Sequence, residues 1–179
     1  MENAPASKWN SAALDGLKLA AISIIFMLIA TLIPQSKTGG ILAILLTILK
    51  LAATITFLWF AMKKYSTRNA AAEGFTTYGK VFSYGFITSL FSGIVLAVFT
   101  FFNMKFISPE STEAAKEAYL TQLSEVPGIQ QSVVDMFANN LETVTSFGML
   151  FSALFYGLIW SLILASSTKV PPGSNFINQ

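Results

Sequence analysis

One charged residue interrupts the middle of a long apolar run, and it is the residue with the most chemistry to offer. Lys50 lies nine residues beyond Ile41 in a stretch that runs from about Gly40 to Met62. At helical rise it sits about 13 Å deep, near the middle of a membrane-length helix. An ionisable group at that depth is a functional-site candidate by default. No carboxylate falls at the same depth in any other apolar run: Asp15 belongs near one end of the first and Glu142 near one end of the last. Lys50 must then be neutral, bond hydroxyls such as Thr47 or Thr54, face water, or pair with another chain. Two readings are open at this point. One is a snorkelling or bundle-buried lysine of structural use, and the other is a site for a ligand or partner.

The chemistry that is missing narrows the field. The 179 residues include no Cys and no His. Disulfides, thiol nucleophiles, zinc sites with His or Cys ligands and His- or Cys-ligated haem are excluded. A serine nucleophile has no imidazole to take its proton. Proton-coupled carriers use Asp, Glu or His inside their spans, and none lies at depth here, so proton coupling is not expected. Asp15 and Lys18 stand three apart on one helical face and can neutralise each other. The acidic residues Glu110, Glu113, Glu117, Glu125 and Asp135 show no EF-hand spacing for Ca²⁺. Gly74 to Lys80 is not a phosphate loop, because the glycine spacing is wrong. Its Gly, Tyr and Lys suit a turn with an interfacial anchor. No enzyme activity, metal or cofactor is expected.

The elements that must hold Lys50 follow from composition. Hydrophobic residues make up 54% of the chain and charged residues 11%, with a net charge of +2. Soluble domains carry about 25% charged residues, so the chain reads as an integral membrane protein. Four apolar stretches reach the roughly 20 residues needed to cross about 30 Å of hydrocarbon, the first of them with Asp15 and Lys18 at the interface, where Lys can snorkel. They fall at about 12–33, 40–62, 81–104 and 143–168. The first is not followed by a clear A-x-A site, and Asp15 lies within it, so it reads as a span and not a cleaved signal. The tight connection Pro34 to Gly39 makes an antiparallel hairpin of the first two spans. The whole chain, 1–179, reads as a single all-α membrane domain, a four-helix bundle.

The segment of about 108–141 is too long for a bare loop. It reads as two short helices, the first capped by Ser108 with Pro109 at its first position. Ala115, Tyr119, Leu123 and Val126 fall on one face of it, and Pro127-Gly128 end it. Ile129, Val133, Phe137 and Leu141 form a second stripe. A helical cap on the bundle is the favoured reading, and a pair of helices on the bilayer surface is the alternative.

Lys8, Lys63, Lys64, Arg68, Lys80 and Lys169, with Lys18, lie on the side of the two termini, against Lys37, Lys105 and Lys116 on the other. The positive-inside rule places both termini in the cytoplasm. Trp9, Trp59, Tyr65, Tyr78 and Trp160 read as interfacial belt residues. No basic run is long enough for a nucleic-acid partner.

Lipid tails are as apolar as leucine, so spans associate where small residues let backbones approach. The third span has Gly85, Ser89, Gly93 and Ala97 at spacing four, the fourth has Ala153, Gly157, Ser161 and Ala165, and the first has Ala12, Gly16 and Ala20. Packing of the third span on the fourth along these lines is expected, with a homodimer face or a substrate path as the alternatives.

Gly74-x-x-Thr77-Tyr78-Gly79-Lys80 opens a span with Gly85 a turn and a half later. Ser108-Pro109 follows that span, an acidic helical loop follows the proline, and the last span ends in Thr168-Lys169. From about Trp9 to Lys169 this layout resembles the bacterial membrane family catalogued as domain of unknown function 4199, found mainly in Bacteroidetes. The resemblance implies a four-span protein of the bacterial inner membrane and carries no activity or site residues. The leading expectation is a non-catalytic scaffold or accessory subunit that contacts a protein partner or a second copy. The alternative is a transporter or channel component for a small anionic or lipidic solute, with Lys50 facing the path.

Overall fold

The computed structural model describes residues 7–32, 37–124 and 128–172. Among the described residues six helices follow one another: α1 (Lys8–Thr31), α2 (Lys37–Glu73), α3 (Tyr78–Phe102), α4 (Pro109–Ser124), α5 (Gln131–Asn139) and α6 (Leu141–Thr168). A π-helical turn, Asn103–Ile107, continues α3. Four of these helices are long and apolar enough to cross a membrane: Lys8–Thr31, Gly40–Glu73, Tyr78–Ile107 and Leu141–Thr168. The protein is an all-α membrane bundle with a helical segment between its third and fourth spans. Among the described residues the only strand-like pairing is a single bridge between Thr76 and Val170.

The helices run past the apolar stretches because polar residues continue them. The 37 residues of α2 are about 55 Å long, well beyond the roughly 30 Å of hydrocarbon. Lys63, Lys64 and Arg68 therefore lie on helix and not in a loop. The connection to α3 is reduced to four residues. Gly74 takes the left-handed conformation, with φ +80°, that ends α2. Thr76 pairs with Val170 through two backbone bonds of 2.9 and 3.2 Å. Thr77 caps α3 by accepting from the Lys80 amide. Lys80 forms an ion pair with Glu73, and the Tyr78 hydroxyl donates to the Leu162 carbonyl at 2.9 Å. This end of the bundle, where α1 begins and α6 stops, is called the terminal end below. The opposite end, with α4 and α5, is the loop end. The residues joining α1 to α2, 33–36, and Val126 and Pro127 lie outside the described residues.

Helix α3 is the centre of the bundle. It packs most closely on α6, then on α1, so these three helices form a layer with α3 in the middle. Contact is close because small residues face each other. A Cβ on Gly16 would stand 2.7 Å from the Thr88 carbonyl oxygen, and a Cβ on Gly85 would stand 2.6 Å from Ser161 Oγ. Two hydroxyls within the layer bond along their own helix, Thr88 to the Tyr84 carbonyl at 2.9 Å and Ser89 to that of Gly85 at 3.0 Å. Such back-bonding satisfies the donor without a partner helix.

Helix α2 lies across one face of the layer and is seated by its second half only. Leu58, Ala61 and Met62 are buried with Ala12, Val81, Tyr84, Ile87 and Ala165 in one apolar cluster towards the terminal end. Towards the start of α2 most side chains stand clear of the bundle: Ile41 is 63% exposed where Leu58 is 4% exposed. The bundle is closed at the terminal end and parts at mid-height.

Candidate functional site

The parting of α2 from the layer leaves a cleft of about 280 Å³ at mid-height, close to the lower limit of small-ligand pockets. Each of the four spanning helices contributes residues from near its own middle. Leu19 and Ser23 come from α1, Ser89, Ser92 and Leu96 from α3, and Met149, Ser152, Ala153, Tyr156, Gly157 and Trp160 from α6. Helix α2 supplies Thr47, Lys50, Leu51, Thr54, Ile55 and Leu58. The wall is mainly apolar, with one amine and several hydroxyls set into it.

Lys50 is half-buried and lines this cleft. Among the described residues the ion pairs are Lys18–Asp15, Lys80–Glu73 and Lys116–Glu113, and Lys50 belongs to none of them. Among the described residues no acidic one lines the cleft. Asp15 is eight residues before Ser23 on α1, about 12 Å along the helix. Its carboxylate is already engaged, accepting from the Tyr84 hydroxyl at 2.6 Å and from Lys18 Nζ at 3.4 Å. Tyr84 is itself fixed by stacking on Tyr65, with ring centroids 4.1 Å apart. Asp15 and Tyr84 thus form a closed polar contact that is separate from the cleft.

The threonines beside Lys50 do not bond its amine. Thr47 Oγ1 donates to the Ala43 carbonyl at 2.8 Å, and Thr54 Oγ1 donates to the carbonyls of Lys50 and Leu51, each at 3.0 Å. Their protons are used along α2, so these two hydroxyls offer no donor to the cleft. Ser23, Ser92, Ser152 and Tyr156 are the cleft hydroxyls that reading the sequence did not single out. A mid-span serine or tyrosine on each of three helices is visible in the sequence. Which face of each helix α2 leans over is not, and only that brings them together.

The small-residue lines of α3 and α6 lie beside the cleft. A Cβ on Gly157 would overlap Ser89, and one on Gly93 would meet Ala153 Cβ at 3.0 Å. Ala97 is partly buried on the same side of α3, and Ala165 is fully buried near the terminal end. Ser161 is fully buried, and its hydroxyl has no hydrogen-bond partner. Gly157, Ser89 and Ala153 therefore serve two surfaces, the α3–α6 contact and the cleft floor. Of the belt residues, Trp160 lines the cleft, and Trp59 carries Lys63 over its ring at 4.9 Å.

The family model described as Protein of unknown function (DUF4199) matches residues 14–169. The chain belongs to the DUF4199 family. Both the cleft and the Asp15–Tyr84 contact fall inside the matched region of this DUF4199 protein. No curated protein and no solved structure matches the chain.

Proposed function

We propose that this DUF4199 protein is a non-catalytic membrane protein that binds an anionic solute at Lys50 and acts as a transporter or channel component. One observation carries this reading: an amine without a counter-charge lines a hydroxyl-bearing cleft at the middle of the bundle. An unpaired ammonium at the membrane centre costs about 2.5–3.5 kcal/mol on insertion scales. An anion that reaches it recovers part of that cost, and the cleft hydroxyls of Ser23, Ser92, Ser152 and Tyr156 are the ones placed to donate to it. The apolar remainder of the wall contributes area to a ligand with carbon on it. Because lysines cluster at the terminal end, we place both termini in the cytoplasm, in the inner membrane of a bacterium.

A scaffold or accessory role is the second reading, and one feature favours it. The first half of α2 lacks neighbours on most sides, as Ile44 and Leu45 show at 63% and 59% exposure. A partner's span could cover it. Purification from native membranes, with quantification of what accompanies the chain, separates the two. A different protein at near-equal ratio supports the accessory role.

The anion reading is tested by ligand-observed NMR on the purified protein with butanoate and with inorganic phosphate. At least one of them is expected to bind saturably, to lose at least tenfold in affinity in Lys50→Leu, and to be retained in Lys50→Arg. Binding that is absent, or that is equal in wild type and Lys50→Leu, overturns it.

A further inference from the structure

A second cavity, of about 510 Å³, lies at the loop end, roofed by α4 and α5 and floored by α6. Met149 and Ser152 line this cavity and the Lys50 cleft alike. They are three apart on α6 and share a face, so the two spaces adjoin there. Together they follow α6 from Leu141 to Trp160, about 28 Å at helical rise. The second cavity is walled largely by carbon, with Leu120 and Leu123 of α4 and Phe137 of α5 among its lining. Its one lysine, Lys116, is engaged by Glu113 at 3.7 Å.

The two halves thus differ in chemistry. The half at mid-height holds a cation without an ion-pair partner among the described residues, and the loop-end half holds largely apolar walls. We infer that the ligand is a long-chain anionic amphiphile with an acid head at Lys50 and an alkyl chain along α6 beneath α4 and α5. This rests on the anion reading above and adds the chain. A small inorganic anion needs only the first cavity. A head bound at Lys116 would have to displace Glu113, while at Lys50 it displaces nothing. The loop-end roof then has a purpose in the same terms: α4 and α5 cover the chain where it runs along the first turns of α6.

Gly148 offers a direct probe, because a Cβ added there meets nothing within 4 Å and a larger side chain would project into the second cavity that Gly148 lines. Ala138 lines the same cavity from α5, so Ala138→Phe obstructs it independently should Gly148→Phe fold poorly. The experiment is displacement of isotope-labelled butanoate by unlabelled straight-chain carboxylates of four to twelve carbons. In wild type, potency is expected to rise at least tenfold from butanoate to decanoate, since each buried methylene contributes up to about fourfold. In Gly148→Phe or Ala138→Phe, butanoate affinity is retained and the gain with chain length is lost. If butanoate binds through Lys50 but chain length adds nothing, or its gain survives both obstructions, this inference fails and the anion site stands. If butanoate and decanoate both bind without regard to Lys50, the underlying reading fails as well.

Discussion

Gly157→Leu is expected to separate α6 from α3 and to destabilise the folded bundle by about 3 kcal/mol or more. Overpacking a filled contact costs about 1–3 kcal/mol even where neighbours can move. Here the neighbour is Ser89 on the central helix, with its Cβ and Oγ both in the way. Gly157→Ala is the sharper test. Alanine favours a helix over glycine by about 1 kcal/mol, so a net loss can come only from the contact. Gly157→Ala alone should lower stability, and Ser89→Gly combined with it should restore most of the loss, a coupling readable in a double-mutant cycle. Gly79→Ala is the control, because nothing stands within 4 Å of a Cβ there. It should be neutral or slightly stabilising. Unfolding in mixed micelles followed by circular dichroism reads all of these, and an additive double mutant would show that Ser89 is not what Gly157 meets.

Lys50→Leu is expected to move stability and binding in opposite directions. Leucine at the centre of a membrane helix is favourable by a few tenths of a kcal/mol, where lysine is unfavourable by about 2.5–3.5 kcal/mol. Lys50 gives up no ion pair when it is removed, and the Thr54 bond to its carbonyl does not depend on its side chain. The ligand-free variant should therefore be more stable than wild type by about 1–3 kcal/mol. It should also lose the anion, at least tenfold in affinity. A lysine kept for structure gives the reverse, with a less stable variant and no change in binding. The same unfolding assay with and without butanoate separates the two cases, since a ligand that binds only the folded state raises apparent stability by mass action.

Much of the architecture can be read directly from the chain. The four spans are legible because Leu19 to Ile33, Val81 to Met104 and Thr143 to Thr168 carry no charge and Gly40 to Met62 carries only Lys50, and runs of this kind have few other uses. The two helices of the loop are legible from Pro109 and from the spacing of Tyr119, Leu123, Val133 and Phe137. The continuation of α2 to Glu73 is not, since Lys63, Lys64 and Arg68 look like a loop until Ser66 and Ala70 are seen buried beneath them. Helical propensity carries the chain there, and contact with the α2–α3 turn secures it, as Thr76 shows by donating to the Ser66 carbonyl at 2.7 Å.

Legibility of the site divides in the same way. Lys50 announces itself by charge, and the lines through Gly85 and Gly157 announce themselves by spacing. The cleft does not, because it exists only where α2 leaves the layer. That divergence depends on Met62 and Leu58 being anchored while Ile41 to Leu51 are not. An apolar sequence reads the same whether its residues face lipid or protein. The junction of the two cavities at Met149 and Ser152 is equally silent, because it requires α4 and α5 to fold back over α6.

The absence of cysteine allows the most direct test of a mid-membrane anion site. Ser152→Cys places one thiol where the two cavities meet. Its reaction rates with a sulfonate-bearing and with a trimethylammonium-bearing methanethiosulfonate can be compared in purified protein. An anion-selective cleft predicts at least tenfold faster reaction with the sulfonate, slowed by decanoate, and a preference that disappears when Lys50→Leu is added. Equal rates for the two reagents, or a preference that survives Lys50→Leu, would contradict it.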